Sequence, residues 1–178
     1  MKTILVVILF PVMGFCQGFL PRWEMSLSTD ANSYTNTDGS GSNQYISIGF
    51  RPGFYIVEGL SVEPELFWGA TKGNPSSFNL SGNISYSYGM GHSAFVPFVL
   101  VGGGGGDGIP FNFPLQRTVG RISTISLINA GGGLKVMALG GRALLRIEYR
   151  YQRFNVPYSG YSNKIDANHI LLGFGVLL

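Results

Sequence analysis

Residues Arg142 to Phe154, RALLRIEYRYQRF, alternate with period two. Ala143, Leu145, Ile147, Tyr149 and Tyr151 fall on one side of an extended chain. Arg142, Leu144, Arg146, Glu148, Arg150 and Gln152 fall on the other. Successive side chains of a strand point to opposite faces, so one face is greasy and aromatic and the other is charged. A helix would scatter the same residues around its axis and leave no apolar stripe. The fold therefore turns on which face meets protein and which meets something else. The reading adopted is that the greasy face meets lipid.

Seven further segments carry the same rhythm. Arg22 to Ser28 sets Trp23, Met25 and Leu27 against Glu24 and Ser26. Gln44 to Ile56 sets Ile46, Ile48, Phe50, Phe54 and Ile56 against Tyr45, Ser47, Gly49 and Arg51. Leu60 to Gly69 sets Leu60, Val62, Leu66 and Trp68 against Ser61, Glu63 and Glu65. Pro64 lies on its greasy side and removes a ladder donor, so a local irregularity is expected there. Phe78 to Met90 has a long polar ladder on one face, Asn79, Ser81, Asn83, Ser85 and Ser87. Ala94 to Val101 is nearly all apolar, and its faces are ambiguous. Ser123 to Met137 sets Ile128, Ala130, Leu134 and Val136 against Asn129, Gly131, Gly133 and Lys135. His169 to Leu178 closes the series, with Ile170, Leu172, Phe174, Val176 and Leu178 on one face.

The connections between these eight segments alternate in length. Ser28 to Asn43, Ala70 to Ser77, Gly102 to Ile122 and Phe154 to Asn168 are long. Val57 to Gly59, Gly91 to Ser93 and Ala138 to Gly141 are tight. An up-and-down membrane barrel with both termini on the inner side has this arrangement, four outer loops and three inner turns. Antiparallel neighbours permit the tight turns. Strands of about 9–11 tilted residues cross a bilayer. Closure leaves no edge whose backbone groups lipid would fail to satisfy.

Composition agrees. Charged residues are 12 % of the chain, about half the usual ~25 %. Glycine is 27 of 178 residues, about double the usual ~7 %. The net charge of +3 and the absence of a basic run speak against nucleic acid. Lys2 followed by the apolar run Ile4 to Phe15 reads as a secretory signal over residues 1–17, too short for a membrane-spanning helix. The barrel domain is then residues 18–178. Cleavage is expected after Cys16 or one or two residues later. Cys16 is the single cysteine, so the mature barrel is expected to hold no internal disulfide. Lipidation of Cys16 is the alternative reading.

With these segments in view, the chain resembles the small eight-stranded outer-membrane β-barrels, the group of the OmpA membrane domain and OmpX. The resemblance rests on Leu145 to Tyr151 (LRIEYRY), Pro97 to Gly104 (PFVLVGGG), Asn129 to Val136 (NAGGGLKV), Glu63 to Gly69 (EPELFWG) and the tail Leu172 to Leu178. It implies an all-β, antiparallel, transmembrane barrel in the bacterial outer membrane. It also implies contact with outer-membrane lipid and lipopolysaccharide, and insertion by the barrel-assembly machinery. That machinery reads a C-terminal strand in which Gly173, Phe174, Val176 and Leu178 sit in fitting places.

The candidate site is the non-greasy face. Glu24, Arg51, Glu63, Glu65, Lys135, Arg146, Glu148 and Arg150 all fall on it. An eight-stranded barrel is about filled by its own side chains, and a buried charge left alone is costly. Glu63 and Glu65 are therefore expected to pair with Arg146 or Arg150, and Glu148 with Arg51 or Lys135. The leading expectation is a non-enzymatic barrel whose lumen is plugged by these ion pairs and whose extracellular loops meet an unidentified partner. A narrow porin-like channel is the alternative, and a membrane-embedded lipid-modifying enzyme a weaker one. Gly102 to Gly106 with Asp107 lacks the Lys-Ser/Thr of a phosphate loop and no helix follows it, so an outer loop is expected to begin there, with Phe111, Phe113 and Pro114 as contact points or packed on the rim. His92 and Ser93 are neighbours that point apart, and His169 faces inward near the rim, so no nucleophile–base set assembles. No catalytic residue, cofactor or metal site is expected. Trp23, Phe54, Trp68, Tyr86, Tyr88, Tyr149, Tyr151 and Phe174 are expected to form interfacial girdles.

Overall fold

The computed structural model describes residues 23–35, 42–71, 76–90, 93–106, 125–139, 142–158 and 161–178. The signal segment 1–17, Cys16, His92 and the loop residues Phe111, Phe113 and Pro114 lie outside them. Eight strands run in chain order: β1 Trp23–Thr35, β2 Ser42–Val57, β3 Leu60–Thr71, β4 Ser77–Ser87, β5 Phe95–Gly106, β6 Ile125–Ala138, β7 Ala143–Tyr158 and β8 Tyr161–Leu177. Each pairs antiparallel with its neighbour and β8 returns to β1, so the sheet is a closed barrel. The seam is tied at its end by Leu178 N–H donating to the Trp23 carbonyl at 2.8 Å and Trp23 N–H to the Leu178 carbonyl at 3.2 Å.

The alternation sets the two walls. Leu145, Ile147 and Tyr149 of β7 are exposed, while Arg146, Glu148 and Arg150 between them are buried. The same holds on β1, where Trp23, Met25 and Leu27 point out and Glu24, Ser26 and Ser28 point in. Leu80 and Ile84 on β4, Val99 and Val101 on β5, Ile128 on β6 and Ile170, Leu172 and Phe174 on β8 continue the outward surface. An apolar surface of that continuity is not tolerated in water; around a closed barrel it is a lipid-facing belt. Of the expected girdle aromatics, Trp23, Tyr86, Tyr88, Tyr149 and Phe174 are exposed and Phe54, Trp68 and Tyr151 partly so. Trp23 and Phe54 meet at 5.1 Å between ring centroids.

Two expectations about element ends are corrected. The ribbons β1–β2 and β7–β8 run further than the alternating apolar stretches, with pairs out to Thr35↔Ser42 and Tyr158↔Tyr161. Residues 29–35 and 42–43, and residues 155–158 and 161–168, are thus strand rather than loop. Their Ser, Asn and Asp residues have low strand propensity, but a neighbour already in register supplies their backbone partners. Likewise Gly102 to Gly106 is the end of β5, paired with β4 on one side and β6 on the other. Glycine is favoured at Gly104, where a Cβ would collide with the Leu80 carbonyl and stand 2.6 Å from Ser81 Cα.

The fifth segment's faces are now fixed: Val96, Phe98 and Leu100 point inward and Phe95, Val99 and Val101 outward. At Pro64 the ladder toward β2 is interrupted. Pairs skip from Phe50↔Leu66 to Phe54↔Val62, which leaves Pro52 and Pro64 facing each other with no N–H to give. On its other side Pro64 remains paired with Gly82. The turn between β2 and β3 is made by Glu58 and Gly59, where φ is +79°, a backbone region natural to glycine. At this end the lumen holds an apolar cluster of Tyr55, Met90 and Val96, with Met137 and Leu177 packed against it.

Candidate functional site

The inward rungs of β1, β2, β3, β6 and β7 carry Glu24, Arg51, Glu63, Glu65, Lys135, Arg146, Glu148 and Arg150, each no more than 2 % exposed. Four are carboxylates and four are cations, so the set is formally neutral. Small residues flank them. Arg146 pairs across strands with Gly173, Glu148 with Gly133, Arg150 with Gly131 and Glu24 with Gly53. That leaves the long side chains free to leave the wall and meet in the middle.

They meet in three overlapping groups. Nearest the turn end, Lys135 Nζ donates to Glu24 Oε2 at 2.7 Å and to the Tyr55 hydroxyl at 2.8 Å. Tyr55 in turn donates to Glu24 Oε2 at 2.5 Å. In the middle, Arg51 reaches three carboxylates: Glu65 at 2.6 Å, Glu148 at 2.9 Å and Glu63 at 3.4 Å. Arg146 bridges the two groups, with Glu148 at 2.9 Å, Glu63 at 3.2 Å and Glu24 at 3.4 Å. Its guanidinium also lies 4.1 Å from the centroid of the Phe98 ring, a favourable stacking geometry for a desolvated cation. Toward the loop end, Arg150 holds Glu65 at 2.6 Å and also contacts Glu148. Asn83 Nδ2 donates to Glu65 Oε2 at 3.3 Å and the Ser61 hydroxyl to Glu63 Oε1 at 2.8 Å.

In a ring of eight strands, β3 and β7 are diametrically opposed. The contacts of Arg146 with Glu63 and of Arg150 with Glu65 therefore cross the full width of the lumen. Arg51–Glu148 joins β2 to β7 and Glu24–Lys135 joins β1 to β6, again through the interior. Glu63 and Glu65 lie against Arg146 and Arg150 respectively, and Glu148 lies against Arg51. Lys135 does not join Glu148; it sits on Glu24 and Tyr55 instead.

A separate pair stands on the seam between β1 and β8, where His169 Nδ1 is 2.7 Å from Asp30 Oδ2 with both side chains buried. Sequence reasoning did not single out Tyr55, Phe98 or Asp30 for the interior. Tyr55 shares the parity of Arg51 and was accessible to the same alternation. Phe98 was hidden by an all-apolar segment, and Asp30 by a stretch taken as loop. Among the described residues no group of three or more His, Cys, Asp or Glu side chains is placed to hold a metal ion.

No family model matches the chain, and no curated protein matches its sequence. Solved structures do match its fold. Neisserial surface protein A superposes with a TM-score of 0.63 at 12 % identity, covering 89 % of this chain and 99 % of that one. The N-terminal β-barrel domain of Pseudomonas aeruginosa OprF superposes with a TM-score of 0.54 at 17 % identity, covering 88 % of this chain and 97 % of the other. At such identities the likeness concerns the fold. Taken with the apolar outer wall and ion-filled interior, it defines the class by its fold: this is a small eight-stranded β-barrel with the fold of these outer-membrane proteins.

Proposed function

We propose that this barrel is a non-enzymatic outer-membrane protein, closed by its own lumen network and working through the loops and strand ends opposite the short turns. The observation that carries the reading is the pair of ion contacts spanning the lumen from β7 to β3, Arg146–Glu63 at 3.2 Å and Arg150–Glu65 at 2.6 Å. Moving an ion past them requires separating desolvated charges, which costs several kcal/mol per group. The apolar cluster around Tyr55, Met90 and Val96 is a second barrier in series. The same reading includes insertion by the barrel-assembly machinery, lipopolysaccharide around the outer rim and a loop partner. Against catalysis stands the position of the acid–imidazole pair found among the described residues, Asp30 and His169, inside the wall and away from acyl chains.

The second reading is a narrow channel, favoured by the uncharged polar strip of Ser77, Asn79, Ser81, Asn83, Ser85 and Ser87 along β4. Planar-bilayer recordings decide between them. Purified barrel and the Glu63→Gln/Glu65→Gln variant are both expected to give near-zero current. Discrete wild-type openings that change in the variant would replace the plug with a pore.

A further inference from the structure

Among the described residues the outward wall of the strands is largely apolar, and its ions are confined to one place. Among the described residues, the ions on that wall are Arg153, Lys164 and Asp166, all on the β7–β8 ribbon. Arg153 is directly opposite Asp166, and Asn155 opposite Lys164. Residues two apart on a strand share a face, so these four side chains form a two-by-two block. Next toward the turn end come Tyr151 opposite Asn168, then Tyr149 opposite Ile170. Beyond those the wall is Ile147, Leu145, Leu172 and Phe174. The block stands where the apolar belt ends, at headgroup depth.

The block is organised and has surplus positive charge. Asp166 accepts from Arg153 Nε at 2.7 Å and from Nη2 at 3.0 Å. The guanidinium also lies 5.8 Å from the centroid of the Tyr151 ring. A guanidinium has five N–H donors in a rigid fork; the carboxylate takes two and fixes the plane of the rest. Asp166 is engaged with Arg153, so Lys164 leaves the block net positive. The apolar wall immediately beneath it, with Tyr149 and Ile170 exposed, suits acyl chains and not a free anion.

We infer that this block binds the phosphate of a phosphorylated lipid headgroup in the leaflet at the loop end of the barrel. Lys164 supplies a point charge, Arg153 directional donors, and Asp166 positions Arg153. The inference rests on the apolar wall facing lipid and is independent of whether the lumen conducts, so an open lumen leaves its test untouched.

The test is native mass spectrometry of the whole barrel in non-ionic detergent, with the phosphorylated and dephosphorylated forms of one acylated diglucosamine lipid as probes. The phosphorylated form is expected to bind more tightly. Lys164→Gln and Arg153→Gln are each expected to weaken it roughly fivefold, the scale of one cation at a charged membrane surface. Binding of the dephosphorylated form is expected to be unchanged, and inorganic phosphate at equal concentration is expected not to displace the lipid. Equal binding of the two lipids, variants that bind as wild type, or displacement by inorganic phosphate would each overturn the proposal. If Arg153→Gln fails to fold, Lys164→Gln, a polar replacement at the exposed rim, still decides it.

Discussion

The inner wall has two unlike sectors. β2, β3 and β7 present Arg51, Glu63, Glu65, Arg146, Glu148 and Arg150 to the lumen, whereas the described inward positions of β4 and β5 carry no charge at all. There the rungs are Ser and Asn on β4, and Val96, Phe98 and Leu100 followed by Gly102, Gly104 and Gly106 on β5. The charged sector sends long side chains across the lumen, and the neutral sector is small or flat where they arrive, as Phe98 is beneath Arg146. Volume on one wall is matched by its absence on the other, as close packing of an interior demands. The charged sector should therefore govern stability, and the neutral one should tolerate change.

Urea unfolding in lipid vesicles tests that contrast. Arg51→Met takes a cation from three carboxylates, Glu63, Glu65 and Glu148, and leaves the buried network with an uncompensated negative charge. Removing one partner of a buried ion pair costs about 3–5 kcal/mol, and a loss at or above that range is expected. Next comes Gly133→Val, since a Cβ there collides with the Ile147 carbonyl and sits 2.9 Å from Glu148 Cα. Overpacking of this kind costs about 1–3 kcal/mol. On the neutral side, both amide atoms of Asn79 on β4 are buried without a hydrogen-bond partner. Asn79→Ser is expected to shift stability by less than about 1 kcal/mol, because no buried hydrogen bond is lost. If Asn79→Ser proved as damaging as Arg51→Met, the two sectors would not differ as described.

The smallest effect lies on the outer rim. Arg153 donates to the Asp166 carboxylate there from Nε at 2.7 Å and from Nη2 at 3.0 Å. An exposed ion pair contributes little and is screened by salt. Asp166→Asn should thus move the urea midpoint only slightly, and the difference from wild type should shrink as salt is added. A difference that grew with salt would mean that Arg153 does not hold Asp166.

Much of this architecture was legible in the alternation. The parity of Arg142 to Phe154 assigns lumen and lipid faces for β7, and the same count assigns them for β1 to β4, β6 and β8. β5 resisted because Phe95 to Val101 is apolar on both faces, and only closure against β4 and β6 decides that Phe98 enters the lumen. Strand ends resisted for a different reason. Ser, Asn and Gly residues read as loops locally, yet a ribbon already in register extends them as strand. Partner choice inside the lumen was the least readable. Glu63 meets Arg146 because β3 and β7 are opposite in a ring of eight, a property of the closed sheet rather than of either segment.

Two adjacent residues of the same type offer the most direct test of the division between walls. Leu144 is 0 % exposed and Leu145 is 55 % exposed. With methyl-labelled leucine in lipid nanodiscs, the Leu145 methyls should show cross-relaxation to acyl-chain protons and the Leu144 methyls none. Lipid contacts at Leu144 with none at Leu145, or at neither residue, would contradict the assignment of the apolar wall to the membrane.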